Sequence, residues 1–298
     1  MKTSLVLTAL LLAANGALAQ DAIQCSSCTE WNQPVAPFNI HGNTYYVGTA
    51  GLSAVLVTSP QGHVLLDGAL PQSAPLIRKN IEALGFRMRD VKLILNSHAH
   101  FDHAGGIAAL QQASGATVAH SPHGARVLRD GTSGTDDPQY DPKERAHIPK
   151  VAQVKEVGEG ETLAVGPLRM TAHFTPGHTP GGITWTWQSC EGGKCLDMVY
   201  ADSLTAVSTD GFHYTGGPGY PDRSASFRDT IAKVGRLKCD IVIAAHPSAT
   251  DAFGKAARKT KQANPFIDPD GCRKLAAGAA QKFEARVQRE WEEKGKAR

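Results

Sequence analysis

His98-Ala99-His100-Phe101-Asp102-His103 decides how this chain is read. Three imidazoles and one carboxylate fall within six residues. Neutral imidazole and carboxylate are the donors that divalent first-row metals prefer, zinc above all. The alternative is a polar loop that is rich in histidine by chance, and the flanks argue against it. Val91-Lys92-Leu93-Ile94-Leu95 reads as a short buried strand, so the cluster sits on the turn leaving that strand's carboxyl end. Residues two apart at a strand end point the same way, which lets His98 and His100 share one ion. Asp102 and His103 are sequence neighbours and do not easily join that pair, so a second ion is the economical answer. Gly105-Gly106 lets the backbone bend closely beside the cluster, and Ile107 to Gln112 reads as a helix.

Working outward, strands cluster rather than alternate strictly with helices. Thr44 to Gly48, Ser53 to Thr58 and His63 to Asp67 read as short strands, with turns such as Ser59-Pro60-Gln61-Gly62 between them. Ser73 to Leu84 has the spacing of an amphipathic helix. Residues 121–150 are rich in Pro, Gly and Asp and lack periodicity, which predicts a long loop of the kind that often serves as a lid. Residues 154–173 read as further short strands. In Ile183-Thr184-Trp185-Thr186-Trp187 the apolar residues share one face, and the two Trp are assigned to the core rather than to a substrate platform. Ser224 to Leu237 reads as a helix and Ile241 to Ala244 as a buried strand. Gly271 to Glu293 reads as a terminal helix whose Leu275, Ala279, Phe283, Val287 and Trp291 form a slowly winding docking stripe. No linker-like stretch or repeat divides the chain, so residues 20–298 are expected to form one domain.

Residues 1–19 have the make-up of a cleaved secretory signal: Lys2, an apolar run from Leu5 to Ala14, and Ala17-Leu18-Ala19 as the cleavage site. The run is too short for a stable membrane span, so no membrane anchor is expected. The expected location is the periplasm or the exterior. Loss of Lys2 takes the net charge from +3 to +2, which gives no reason to expect nucleic acid or an anionic membrane as a partner. Six cysteines in an exported chain favour disulfides over thiols, though sequence alone leaves the connectivity open. Cys190 and Cys195 flank a Gly-Gly turn and would close a short hairpin. Cys25 and Cys28 stand in a C-x-x-C, readable as a local bridge, a redox pair or half of a zinc site.

The motif H-x-H-x-D-H after a hydrophobic strand resembles the signature of the metallo-β-lactamase superfamily, and later segments match in order. Thr175-Pro176-Gly177-His178-Thr179-Pro180-Gly181-Gly182 looks like the second ligand segment of that family. Tyr200-Ala201-Asp202-Ser203-Leu204-Thr205 looks like the third and Ala244-Ala245-His246-Pro247 the last. Ser203 stands where one subclass has a metal-binding Cys, and no Lys follows nearby, so the similarity is to class B β-lactamases of the third subclass. That resemblance implies an α+β fold, a four-layer αβ/βα sandwich with metals at the edge between the sheets. It implies two zinc ions, the first held by His98, His100 and His178 and the second by Asp102, His103 and His246. It also implies that Ser203 and Thr205 contact a substrate carboxylate and that Gln139 approaches the metals from the long loop. Asp202 either bridges the metals, as in glyoxalase II and lactonases, or stands behind a ligand imidazole, the role favoured here. The pairing Cys239–Cys272, and Cys190–Cys195 with it, matches what close relatives show; Cys25 and Cys28 then remain. His41, His63, His120, His123, His147, His173 and His213 have no ligand spacing and are assigned surface or structural roles.

Three protein ligands leave a zinc position open for chemistry. A water shared by two zincs ionises near neutral pH, and the expected reaction is attack of that hydroxide on a β-lactam carbonyl, with Asp102 orienting the nucleophile. This would confer resistance to β-lactams, carbapenems included. The Ser-x-x-Lys of serine enzymes is absent from the chain. The alternative enzyme keeps the metals and cleaves a lactone or a thioester. A nuclease would want a basic face, and a non-enzymatic zinc protein would not need a full ligand set with an open position. Nothing in the sequence calls for an obligate dimer, so a monomer is expected.

Overall fold

The computed structural model describes residues 22–143 and 147–296; the expected signal segment lies outside them. Seven strands form a first sheet in chain order: β1 (Phe38–His41), β2 (Thr44–Tyr46), β3 (Val55–Val57), β4 (His63–Leu66), β5 (Val91–Leu95), β6 (Thr117–His120) and β7 (Val154–Glu156). Its first four strands pair antiparallel and β4 to β7 pair parallel. The second sheet holds β8 (Thr162–Val165), β9 (Leu168–Phe174), β10 (Ile183–Glu191), β11 (Lys194–Ala201) and β12 (Ile241–Ala244), in the order β12-β11-β10-β9-β8. The helices are α1 (Cys28–Trp31), α2 (Ala74–Ala83), α3 (Phe101–Ala104), α4 (Ile107–Ser114), α5 (Pro122–Asp130), α6 (Ser224–Arg236), α7 (Ala252–Arg258) and α8 (Gly271–Lys296).

Three apolar clusters define four layers. Between the sheets, Tyr46, Val55, Leu66 and Leu95 meet Met170, Trp185, Tyr200 and Ile243. Ile77 and Ile81 of α2, Ile107 and Leu110 of α4, and Val127 and Leu128 of α5 cover the outer face of the first sheet. Phe227 and Ile231 of α6 and Phe283 and Val287 of α8 cover Val199 and Val242 of the second. This is the αβ/βα sandwich. Trp185 and Trp187 both lie in the inter-sheet core, and each indole N–H has a partner: the Asn96 carbonyl at 2.9 Å and the Thr44 hydroxyl at 3.2 Å. Thr184 is buried too, because its hydroxyl accepts the Asp202 N–H at 3.2 Å.

Two expectations change. Residues 121–150 are not loop throughout, since α5 occupies Pro122–Asp130. Ser121 caps it by accepting the Gly124 N–H, Pro122 opens it, and Gly131 ends it at φ 81°. The terminal stripe also stops early. Ala279, Phe283 and Val287 are buried, but Trp291 is 53% exposed. Glu290 turns inward instead, accepting the backbone N–H groups of Tyr214 and Thr215 at 3.0 and 2.9 Å and pairing with Arg286 at 2.7 Å.

All six cysteines are paired: Cys25–Cys28, Cys190–Cys195 and Cys239–Cys272. No helix among the described residues is long and apolar enough to cross a membrane.

Candidate metal centre

Strand direction gathers the site. β4 and β5 run parallel, so their carboxyl ends lie side by side. Asp67, just past β4, sits at φ 60°, a strained conformation that many bonds hold in place. It accepts from Asn96 Nδ2 (2.8 Å), Ser97 N (2.7 Å), Ser97 Oγ (2.7 Å) and the Tyr200 hydroxyl (2.8 Å). That knot fixes the turn that carries His98. In the second sheet β9, β11 and β12 share one direction, so the segments leaving them deliver His178, Asp202 and His246 to the same edge. The Ile183 N–H donates to the Ser97 carbonyl at 2.7 Å and stitches the two edges together.

One donor atom each from His98, His100 and His178 lies within 4.8 Å of the others. Each ring is held from behind. His98 Nδ1 donates to Asp202 Oδ1 at 2.7 Å, an oxygen that also accepts the Ser203 N–H at 2.8 Å. His100 Nε2 donates to Asp137 at 3.0 Å, and His178 Nδ1 to the Thr205 carbonyl at 2.9 Å. A neutral imidazole that donates through one nitrogen offers a lone pair at the other. The lone pairs of His98 Nε2, His100 Nδ1 and His178 Nε2 therefore face inward. The Gln139 amide nitrogen reaches two of them, at 3.4 and 3.3 Å. His98 Nε2 is buried and has no hydrogen-bond partner.

Asp102 and His103 form a second group with His98, again within 4.8 Å. His103 Nε2 lies 3.2 Å from Asp102 Oδ2 and 3.2 Å from His246 Nε2. His246 Nδ1 donates to the Gly51 carbonyl at 3.0 Å, which leaves its Nε2 facing His103 and, at 3.5 Å, Asp102. His103 Nδ1 looks toward Asp67 at 3.7 Å. Two ring nitrogens this close, with a carboxylate beside them, suit a shared cation. So does the orphaned nitrogen of His98, whose burial without a partner costs about 1–3 kcal/mol. The residues present fit a metal.

Electrostatics agree for His98, His178 and Asp102. Burial and the neighbouring imidazoles hold His98 well below its ordinary pKa. Burial, with His100 beside it, takes His178 down to about 3. Both are neutral at pH 7, the form that ligates. Burial alone would raise the Asp102 carboxyl, but His103 and His246 outweigh it and hold it well below the usual range, ionised. Burial opposes ionisation of His246 too; there the Asp102 carboxylate and the Gly51 carbonyl prevail and raise it.

A cleft of about 340 Å³ opens over these groups, walled by Trp31, Phe101, Gln139, Thr205 and Val207 among others. Thr205 and Gln139 line it, whereas Ser203 is buried and does not. Asp202 stands behind His98, and a Cβ at Gly182 would collide with its other oxygen. Sequence reasoning missed Asp67, Asp137, Trp31 and the Gly51 carbonyl. Their signal is tertiary: Asp137 is 37 residues from His100 and Gly51 is 195 from His246. Among the histidines without ligand spacing, His120 is wholly buried, bonding its neighbour Ser121, and His123 pairs with Asp136 at 2.8 Å.

The fold and this centre define a class, and the chain belongs to the metallo-β-lactamase superfamily, whose model matches residues 48–246 and so spans all the candidate ligands. Among solved structures it is similar to the Rm3 metallo-β-lactamase, at 50% identity and a TM-score of 0.86 over 90% of this chain and 99% of that one. It is also similar to MEM-A1, a subclass B3 metallo-β-lactamase from a soil metagenome library, at 49% identity and a TM-score of 0.85 over 88% and 99%. The curated relative YobT of Bacillus subtilis (strain 168), an uncharacterized protein, is 33% identical over 147 residues, 48% of this chain; the match spans 59% of YobT's length.

Proposed function

We propose that this protein is a zinc-dependent β-lactamase that opens the β-lactam amide bond by hydrolysis. One observation carries the reading. Four imidazoles, those of His98, His100, His178 and His246, have their outward nitrogen committed to an oxygen acceptor, and each turns its other nitrogen toward one group of donors around an ionised Asp102 at the floor of the cleft. His98, His100 and His178 would hold a first zinc; Asp102, His103 and His246 would hold a second. When bound, such ions supply Lewis acidity and bring the ionisation of water to near neutral pH.

The chain's own residues do the rest. Asp202, Asp137 and the Thr205 and Gly51 carbonyls hold the ligand rings in one tautomer and one orientation. Asp102 keeps a negative charge at the floor of the cleft. The Thr205 hydroxyl and the Gln139 amide stand at its wall, where a substrate carboxylate would be positioned. No side chain need form a covalent intermediate. Similarity to Rm3 and MEM-A1 across most of both chains supports β-lactams as the substrate class; carbapenems are included in the proposal on the resemblance alone. Residues 1–19 serve as a cleaved signal, residues 20–298 as one domain, and the mature enzyme works as a monomer in the periplasm or outside the cell, where it gives antibiotic resistance.

The test is hydrolysis of a chromogenic cephalosporin by the mature protein with zinc, run beside a lactone and a thioester. The cephalosporin opens rapidly, a chelator abolishes the reaction, and a serine-directed inhibitor leaves it untouched. Turnover of only the lactone or the thioester would refute the proposal and favour the other hydrolase reading.

A further inference from the structure

We infer that Trp31, held by the Cys25–Cys28 clamp, is a positioning residue for His246 and sets the hold on the second ion without touching the first. This rests on the two-ion reading above. α1 is a single turn, far too short to persist unaided. The structure anchors it on both sides. Cys25 and Cys28 are bonded, Ile23 exchanges two hydrogen bonds with the Gln72 side chain (3.1 and 2.8 Å), and Asn32 Oδ1 accepts from Ser73 Oγ at 2.6 Å. The Gln33 carbonyl accepts the Ala50 N–H at 3.0 Å.

What this anchored turn presents is Trp31. Its carbonyl accepts the Gly51 N–H at 3.1 Å, and the Gly51 carbonyl in turn accepts His246 Nδ1–H at 3.0 Å. Its ring lies 5.3 Å from the His246 ring, tilted by 55°. A Cβ on Gly51 would run into the Trp31 ring and backbone, so the two are in tight contact and only glycine fits. Trp31 thus grips His246 twice, directly through its ring and indirectly through the one carbonyl that sets the imidazole's tautomer. That grip matters because the His246 side chain is 31% exposed, whereas His98 is wholly enclosed. The outer partners of the three-histidine group are Asp202, Asp137 and Thr205, none of them in this segment.

The experiment is a zinc titration of the full mature chain against a chromophoric chelator, for the wild type, Trp31→Ala, Trp31→Phe and Cys25→Ser/Cys28→Ser. The wild type binds two ions. Partners that orient a ligand are worth about 10–100-fold in metal affinity, and Trp31 acts partly through Gly51, so Trp31→Ala weakens the second ion by about tenfold. The first ion keeps its affinity within about twofold, a split that a merely structural role would not produce. Trp31→Phe restores most of the loss, and the cysteine double variant shows a smaller loss of the same selectivity. If Trp31→Ala does not fold, the cysteine variant, whose cleft side chains are intact, decides the matter. Equal weakening of both ions, or an unchanged second ion, overturns the inference while leaving the two-ion reading in place. A wild type that binds no second ion overturns that reading and this inference together.

Discussion

The two halves of the metal centre are built differently. His98, His100 and His178 rest on Asp202, Asp137 and the Thr205 carbonyl, at 2.7 to 3.0 Å, in a buried edge between the sheets. His103 and His246 rest on a 3.7 Å approach by Asp67 and on one carbonyl of a glycine loop. Both halves reach the cleft, the first through His100 and His178 and the second through Asp102 and His246; every ring of the first is backed at hydrogen-bond distance, whereas the second leans on an N-terminal turn. The difference teaches that a ligand's environment, and not its identity, decides how firmly it is presented.

The largest break in that contrast comes from removing a ligand of the firm half. His178→Ala lowers cephalosporin turnover by more than about 100-fold and lowers zinc content with it, beyond what loss of an outer partner costs. Parallel assays of rate and bound zinc check this, and full activity would contradict the assignment of His178. Removing a backing group has less effect. Asp202→Ala weakens the first ion by about 10–100-fold, and it does so more than the second, which a competition titration reads directly.

A third comparison sets the ligands against His120, a buried imidazole with no metal role. Burial takes His120 down to about 3, against 6.5 for the exposed group. Between those two values the unfolded chain binds a proton that the native chain refuses. Its contribution to stability is therefore intact above pH 6.5 and is lost as pH falls toward 3, with a slope of about 1.4 kcal/mol per pH unit. Urea unfolding from pH 6.5 to 4.5 should show His120→Asn losing that part of the slope, with or without zinc. An unchanged slope would mean that the native His120 accepts a proton. The smallest effect is expected at the far end of α8. Trp291→Ala, on the exposed side of the helix, changes stability by no more than about 0.5 kcal/mol, whereas Phe283→Ala in the core costs about 3–5 kcal/mol. Thermal unfolding of the two variants checks the pair.

What the sequence made legible follows the same division. Residues 98–103 announce a metal from donor chemistry alone; β12 reads directly as an unbroken apolar run, and β5 as one interrupted only by the exposed Lys92. His178 and His246 needed a resemblance, because a histidine beside Pro or Gly carries little local signal. α5 was hidden by the Pro and Gly around it, although Ser121-Pro122 is a helix start and Ala125, Val127 and Leu128 form a short buried face. Trp291 followed the spacing of a buried stripe, yet the Tyr214 and Thr215 N–H groups needed an acceptor and drew Glu290 into that place. Asp137, Gly51 and Trp31 act through contacts made only when distant segments meet, so no local pattern marks them.

Metal analysis of the freshly purified mature protein, made alongside its cephalosporin turnover, tests the central claim most directly. The account predicts two zinc ions per chain and activity that falls as they are withdrawn and returns as they are restored. Undiminished turnover from a sample free of any transition metal would contradict it.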